Sequence, residues 1–212
     1  MRLFIAVAAD EEVKSAAAEA VARLRRAGGN VRWVDPRDMH TTLRFFGETP
    51  EASLPEIQEL MVRAAAQIAP FEIVYGGVGA FDSFEEARVV WIGLNEGLAP
   101  LERAAGLVGR DEPRPYAPHL TLGRNRDDAA PSGFVAALKA EPVLNLRRPV
   151  TKISLYASKP APFGHAYEIL FEAELTGAAD DGARVGAGLR AELGAREQRD
   201  VLEGPLDDAT RR

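Results

Sequence analysis

Residues 3–9 form an unbroken apolar run closed by Asp10, Glu11 and Glu12, the pattern of a buried first strand. Asp10 is placed to cap a helix that extends to about Arg26, where Gly28 and Gly29 stop it. Residues 31–34 read as a short strand or extended link, Asp35-Pro36 as a turn, and 40–46, rich in Thr, Leu and Phe, as a strand. Pro50 and Glu51 open a second helix, in which Leu54, Ile57, Leu60, Met61, Ala64, Ala65 and Ile68 recur at three-to-four spacing until Pro70 ends it. Strands follow at 71–79 and 89–94, a helix at 97–109, a strand at 119–123, a helix at 132–140, and strands at 149–157 and 166–175.

This succession predicts an α+β fold in which one strand-plus-helix unit is used twice. His40 and the helix after Pro50 are echoed by His119 and the helix after Pro131, so two similar lobes would face each other. From Gly177 onward the chain is mostly Ala, Gly, Asp, Glu and Arg, with hardly an aromatic or β-branched residue. Such a composition cannot bury enough apolar surface to order itself. Residues 1–176 are therefore expected as a two-lobed domain and 177–212 as a mobile tail.

Composition narrows the function. The 212 residues are 46% hydrophobic and 27% charged, the balance of a soluble globular chain with room for a sizeable core. Cysteine is absent, which excludes a disulfide framework, a thiolate zinc site, an iron–sulfur cluster and a cysteine nucleophile. The apolar run at 3–9 is too short for a membrane span or a secretory peptide, so a cytoplasmic protein with no membrane partner is expected, and a monomer is the default expectation. Net charge is −6, and the six basic and eight acidic residues from Gly177 onward leave 20 and 24 before it. Both parts are mildly acidic, which disfavours extended duplex nucleic acid while leaving room for a small phosphate held by a few arginines.

The chain has three histidines, and two of them open the same local pattern: His40-Thr41-Thr42-Leu43 and His119-Leu120-Thr121-Leu122. Side chains at i and i+2 leave one face of a strand, so each strand projects an imidazole and a hydroxyl together, about 7 Å apart along it. Two such strands side by side make a polar square suited to a phosphate. A neutral imidazole can take a proton from water, a protonated one can give a proton to a leaving oxygen, and the threonine hydroxyls can bond the non-bridging oxygens. Neither motif carries a paired acid, so a three-ligand zinc site is not supplied and no metal or cofactor is expected. Arg44 is in phase with His40 and Thr42 on a regular strand and could reach the same phosphate. Arg124 is out of phase with His119 unless a bulge at Gly123 turns it inward. Trp33, Phe45, Phe46, Tyr116 and Tyr167 are candidate stacking surfaces for a base, and His165 reads as a loop histidine.

These residues resemble the 2H phosphoesterase superfamily, and within it the bacterial RNA 2′,3′-cyclic phosphodiesterases, also called 2′-5′ RNA ligases. The resemblance covers most of residues 1–175: Arg2-Leu3-Phe4-Ile5-Ala6-Val7, then Arg32-Trp33-Val34-Asp35-Pro36 leading into His40-Thr41-Thr42-Leu43-Arg44-Phe45-Phe46-Gly47, then Tyr116-Ala117-Pro118-His119-Leu120-Thr121-Leu122-Gly123-Arg124, and finally Leu155-Tyr156-Ala157-Ser158 with Tyr167-Glu168. It implies a pseudo-two-fold, two-lobed fold with a central cleft and one H-x-T-x strand per lobe. It also implies metal-independent hydrolysis of RNA 2′,3′-cyclic phosphate ends to 2′-phosphomonoesters, with His40 as proton donor to the departing 3′ oxygen and His119 as the acceptor that activates water. Thr42 and Thr121 would hold the phosphate oxygens, and ligation would be the same chemistry with a 5′-hydroxyl in place of water. Asp35, His165 and the segment after Gly177 depart from the pattern. The competing expectations are a relative acting on small nucleotides such as ADP-ribose 1″,2″-cyclic phosphate, and a nucleotide- or RNA-binding module without turnover.

Overall fold

The computed structural model describes residues 1–161 and 164–178, with side chains described to 160 and again from 166. The expected tail lies outside the described residues from 179 on, as does the side chain of His165. Strand β1 (Arg2–Ala8) is buried through its centre and leads into helix α1 (Glu11–Arg26), whose first turn is capped by the Asp10 carboxylate accepting from the Val13 N–H at 3.0 Å. Strand β2 (Val31–Trp33) and a 3₁₀ turn at Pro36–Asp38 connect to β3 (His40–Glu48). A second 3₁₀ turn at Glu51–Ser53 precedes α2 (Leu54–Ala65), and after it come β4 (Phe71–Phe81), β5 (Val89–Glu96), α3 (Leu98–Leu107), β6 (Leu120–Asn125) and α4 (Ser132–Ala140). Where the periodicity predicts one strand over 149–157 the chain forms two, β7 (Leu146–Val150) and β8 (Lys152–Ala161), parting at Thr151; β9 (Gly164–Glu174) follows.

The strands join in one sheet, ordered β7-β4-β5-β6-β3-β1-β8-β9, with β2 pairing to β6. At its centre β3 and β6 share a single antiparallel pair, Thr41 opposite Leu120. That seam divides the α+β fold into the two lobes the sequence predicts. One lobe runs β3-β1-β8-β9 and the other β6-β5-β4-β7, and each reaches the centre by the same chain path: β1-α1-β3-α2 in the first, β5-α3-β6-α4 in the second. The helices cover one face of the sheet. Leu3, Ile5, Leu43, Ile73, Tyr75, Ile92, Leu120, Leu122 and Phe134 are almost fully buried there in one continuous core. The other face is left for the cleft. Among the described residues no helix is long and apolar enough to cross a membrane.

Candidate active site

The single β3–β6 pair fixes the site. Thr41 and Leu120 are fully buried and point into the core, so the residues flanking them point into the cleft. In an antiparallel ladder this register sets His40 across from Thr121 and Thr42 across from His119. The polar square of the sequence is thus formed with each imidazole facing the other strand's hydroxyl. Tyr116 ties the seam by donating its hydroxyl proton to the Thr42 carbonyl at 2.8 Å.

The two histidines are held alike. His40 Nδ1 lies 2.6 Å from the Asp38 carbonyl oxygen and His119 Nδ1 lies 2.7 Å from that of Ala117, in each case two residues upstream. A carbonyl only accepts, so each Nδ1 carries the proton and each neutral ring leaves the Nε2 lone pair for chemistry. Aromatic rings fix both planes. His40 stacks on Phe4 at 4.6 Å between centroids, with Tyr156 at 5.7 Å and Tyr167 edge-on at 5.3 Å; His119 meets Phe81 edge-on at 4.8 Å, with Trp91 at 6.3 Å. Burial in these apolar cages pushes His40 down to about 4, and the nearby His119 adds to the shift. Burial likewise lowers His119, with the Arg124 cation adding to it. A proton on one imidazole therefore resists a proton on the other, so the two rings are not charged together.

Bulges decide the arginines. On β3 the pairing with β1 shifts between Ile5 and Ala6, so Ala6 faces Thr42 while Ile5 faces Arg44. Leu43 is the extra residue, and it turns Arg44 onto the helical side of the sheet and returns Phe45, opposite Phe4, to the cleft. The phase of a regular strand that points Arg44 at the phosphate is thereby corrected. Its guanidinium lies over Phe46 and donates to the Val108 carbonyl at 2.6 Å, at the end of α3. On β6 the same device works in the opposite sense. Thr121 faces Trp91 and Gly123 faces Val90, so Leu122 is extra, and Arg124, opposite Val89, rejoins the face of His119 and Thr121. Phe45 and Arg124 thus occupy matching places, five residues after each histidine.

Of the stacking candidates, Phe45 and Tyr167 face the cleft. Trp33 packs on Phe134, Phe46 lies under Arg44, and Tyr116 ties the seam. Phe81 and Trp91, which form the cage of His119, lie outside both motifs and no local pattern marks them. The one sign of them in the sequence is Gly79, directly opposite Trp91: a Cβ there would come within 2.1 Å of the indole, so only glycine lets the ring lie flat on β4. Among the described residues no group of three His, Asp or Glu side chains could hold a metal.

Residues 7–91 match the family model described as LigT like Phosphoesterase. The chain is 33% identical to the RNA 2′,3′-cyclic phosphodiesterase of Methanothermobacter thermautotrophicus, over 79% of this chain and 95% of that protein. It is 35% identical to the one of Thermus thermophilus, over 84% and 91%. Its fold is similar to the crystal structure of TT0787 of Thermus thermophilus, with a TM-score of 0.72 at 31% identity over 84% of this chain and all of that one. It is also similar to E. coli LigT complexed with ATP, with a TM-score of 0.67 at 28% identity over 82% and 97%. With its two lobes, its central H-x-T-x pair and this similarity along nearly the whole of its relatives, the chain belongs to the LigT-like 2H phosphoesterase family.

Proposed function

We propose that the protein is an RNA 2′,3′-cyclic phosphodiesterase that opens the cyclic phosphate to a 2′-phosphomonoester by paired-histidine acid–base catalysis. The observation that carries this reading is the matched presentation of the two imidazoles, each tethered at Nδ1 by an upstream carbonyl and each offering Nε2 to the cleft beside a threonine hydroxyl from the facing strand.

In the reaction a water oxygen attacks phosphorus and gives a proton to His119 Nε2. The P–O3′ bond breaks, and the departing 3′ oxygen takes the Nε2 proton of His40. Thr42 and Thr121 donate to the non-bridging oxygens as charge gathers on them, and Arg124 offsets that charge from the outer end of the strand. The Arg124 cation helps keep His119 unprotonated, which suits a base. The phosphodiester anion entering beside His40 favours its protonated form, which suits an acid. After turnover the two rings exchange a proton with solvent. The scheme requires no metal, and a 5′-hydroxyl in the place of the water would join two RNA ends by a 2′-5′ linkage.

Incubation of the full chain, in excess EDTA, with an oligoribonucleotide ending in a 2′,3′-cyclic phosphate should give a 2′-phosphate with wild type and not with His40→Ala or His119→Ala. A 3′-phosphate product would reverse the proposed leaving group. No product from folded wild-type protein would move the activity to another cyclic phosphate.

A further inference from the structure

We propose that the ring face of Phe4, with Tyr156 beside it, stabilises the protonated form of His40, and that this bias makes His40 rather than His119 the proton donor. The proposal rests on the cyclic phosphodiesterase reading and deepens it, since the backbone tethers hold the two imidazoles alike. Phe4 is buried, so it is a positioning residue that acts through His40.

Phe4 alternates on β1 with Leu3 and Ile5, which belong to the main core, so its ring stands on the cleft face. There it forms a separate buried cluster with Ala6 and Tyr156, against which Tyr167 packs. Next to His40, β1 presents only small side chains: Ala8 is its direct partner and Ala6 follows on the same face. The imidazole therefore has room to lie along β1 and meet Phe4. The two rings are 30° from parallel with centroids 4.6 Å apart, and Tyr156 is 27° from parallel to His40 at 5.7 Å. Rings as close and as nearly parallel as His40 and Phe4 lie face over face, because side by side in one plane they would need more room. Phe4 and Tyr156 are themselves 7° from parallel at 5.0 Å, so the imidazole rests on one aromatic surface. The neighbours of His119 are set differently, Phe81 at 89° and Trp91 at 54° to its plane.

An aromatic face carries negative charge, so it attracts an imidazolium and is close to indifferent to a neutral imidazole. Of the other groups around His40, the Asp38 carbonyl favours the charged ring and His119 opposes it. Tyr167 comes edge-on from β9 and Thr121 faces it from β6, both neutral. The Asp38 and Glu172 carboxylates act on the Tyr156 hydroxyl, and Arg124 acts on His119 and on the Tyr167 hydroxyl. Within the two cages, the stack is the contact that tells the histidines apart.

Graded fluorination tests this, because fluorine withdraws charge from a ring face and barely changes the ring's shape. The full chain is made as Phe4→Leu and with 4-fluoro-, 3,5-difluoro- and 3,4,5-trifluorophenylalanine in place of Phe4. The midpoint of His40 protonation is read without turnover from its imidazole carbon–proton resonance, assigned by its loss in His40→Asn. That midpoint should fall stepwise with each added fluorine and by about half a pH unit to one unit in Phe4→Leu, while that of His119 moves less. On a 2′,3′-cyclic phosphate at neutral pH, kcat/KM should fall in the same order, by about three- to tenfold in Phe4→Leu, because less of the enzyme carries the donor proton. A His40 midpoint that stays constant or rises along the fluorine series overturns the proposal. So does a fall in Phe4→Leu that fluorination does not reproduce, which would assign the effect to packing. A stepwise fall in the midpoint with no hydrolysis of the cyclic phosphate would uphold the stabilisation of the charged ring and count against the phosphodiesterase reading instead.

Discussion

At the scale of single residues, each histidine combines a structural bond at Nδ1 with a proposed proton transfer at Nε2, and the two can be separated. Asparagine places an amide nitrogen near Nδ1 and nothing at Nε2. His40→Asn and His119→Asn should therefore keep the fold while each loses activity by about 10²–10⁴-fold, read as kcat on a cyclic phosphate with circular dichroism as the control. The double variant should lose little more than either single one, since the two groups act as a unit. The lowered pKa of His40 also has a consequence for stability. The ring titrates near 4 in the folded protein and near 6.5 when unfolded, so between those values the unfolded chain binds the extra proton. Its contribution is fully present above pH 6.5 and is lost as pH falls toward 4. The loss is at most about 3 kcal/mol, less for a ring partly open to solvent. Urea unfolding at a series of pH values should show that slope in wild type and a flatter one in His40→Asn. The pH profile of kcat/KM should be bell-shaped with its optimum on the acid side of 6.5. Arg124→Gln, which removes a cation that lowers His119, should move one limb to higher pH.

At the scale of elements, the cage that orients His119 depends on a glycine in the neighbouring strand. Gly79→Ala puts a methyl group into the Trp91 ring, and the ring is the larger partner that must move. This should cost about 1–3 kcal/mol in unfolding free energy and lower activity by displacing the neighbour of His119. A Trp91→Phe background with its smaller ring should absorb part of that cost, which a double-mutant cycle would measure. The same scale shows what the sequence does and does not disclose. Helix α1, its Asp10 cap, α4 and the H-x-T-x strands follow from periodicity and local chemistry, because each is settled within a few neighbouring residues. The placing of Arg44 and Arg124 does not. Both lie beyond the threonine on a strand where one extra residue reverses the face, and a bulge is set by the register with β1 or β5, which no local pattern carries. The split at Thr151 escaped for a related reason: β7 and β8 join opposite lobes, so their separation is a matter of topology and not of composition.

At the scale of the whole molecule, the two halves of the sheet meet along the single β3–β6 pair and the short β2–β6 ladder, and the helical layer behind them helps to hold the angle that keeps the four cleft side chains in reach. The stretch that follows β9 belongs to that layer. After β9, the Leu175 N–H bonds the Thr151 carbonyl at 2.7 Å, the Thr176 N–H bonds Ala65 at 3.1 Å, and the Gly177 N–H bonds Ile68 at 3.0 Å. Leu175 is buried, and any side chain at Gly177 would strike the backbone of Ile68 at 2.4 Å. These three residues clip the last strand onto the end of α2 and close over the β7–β8 turn. A chain ending at 178 should therefore melt above one ending at 174. Three backbone hydrogen bonds and one buried leucine separate the two, about 3–5 kcal/mol together, which for a domain of this size is roughly 6–20 °C. The shorter chain should also lose activity below its melting temperature, because α2 would no longer be pinned against β9 and the lobe carrying His40 would move relative to His119. Equal melting temperatures for the two truncations would mean that the clip contributes nothing, and that the angle between the lobes is set without it, where β3 and β2 meet β6.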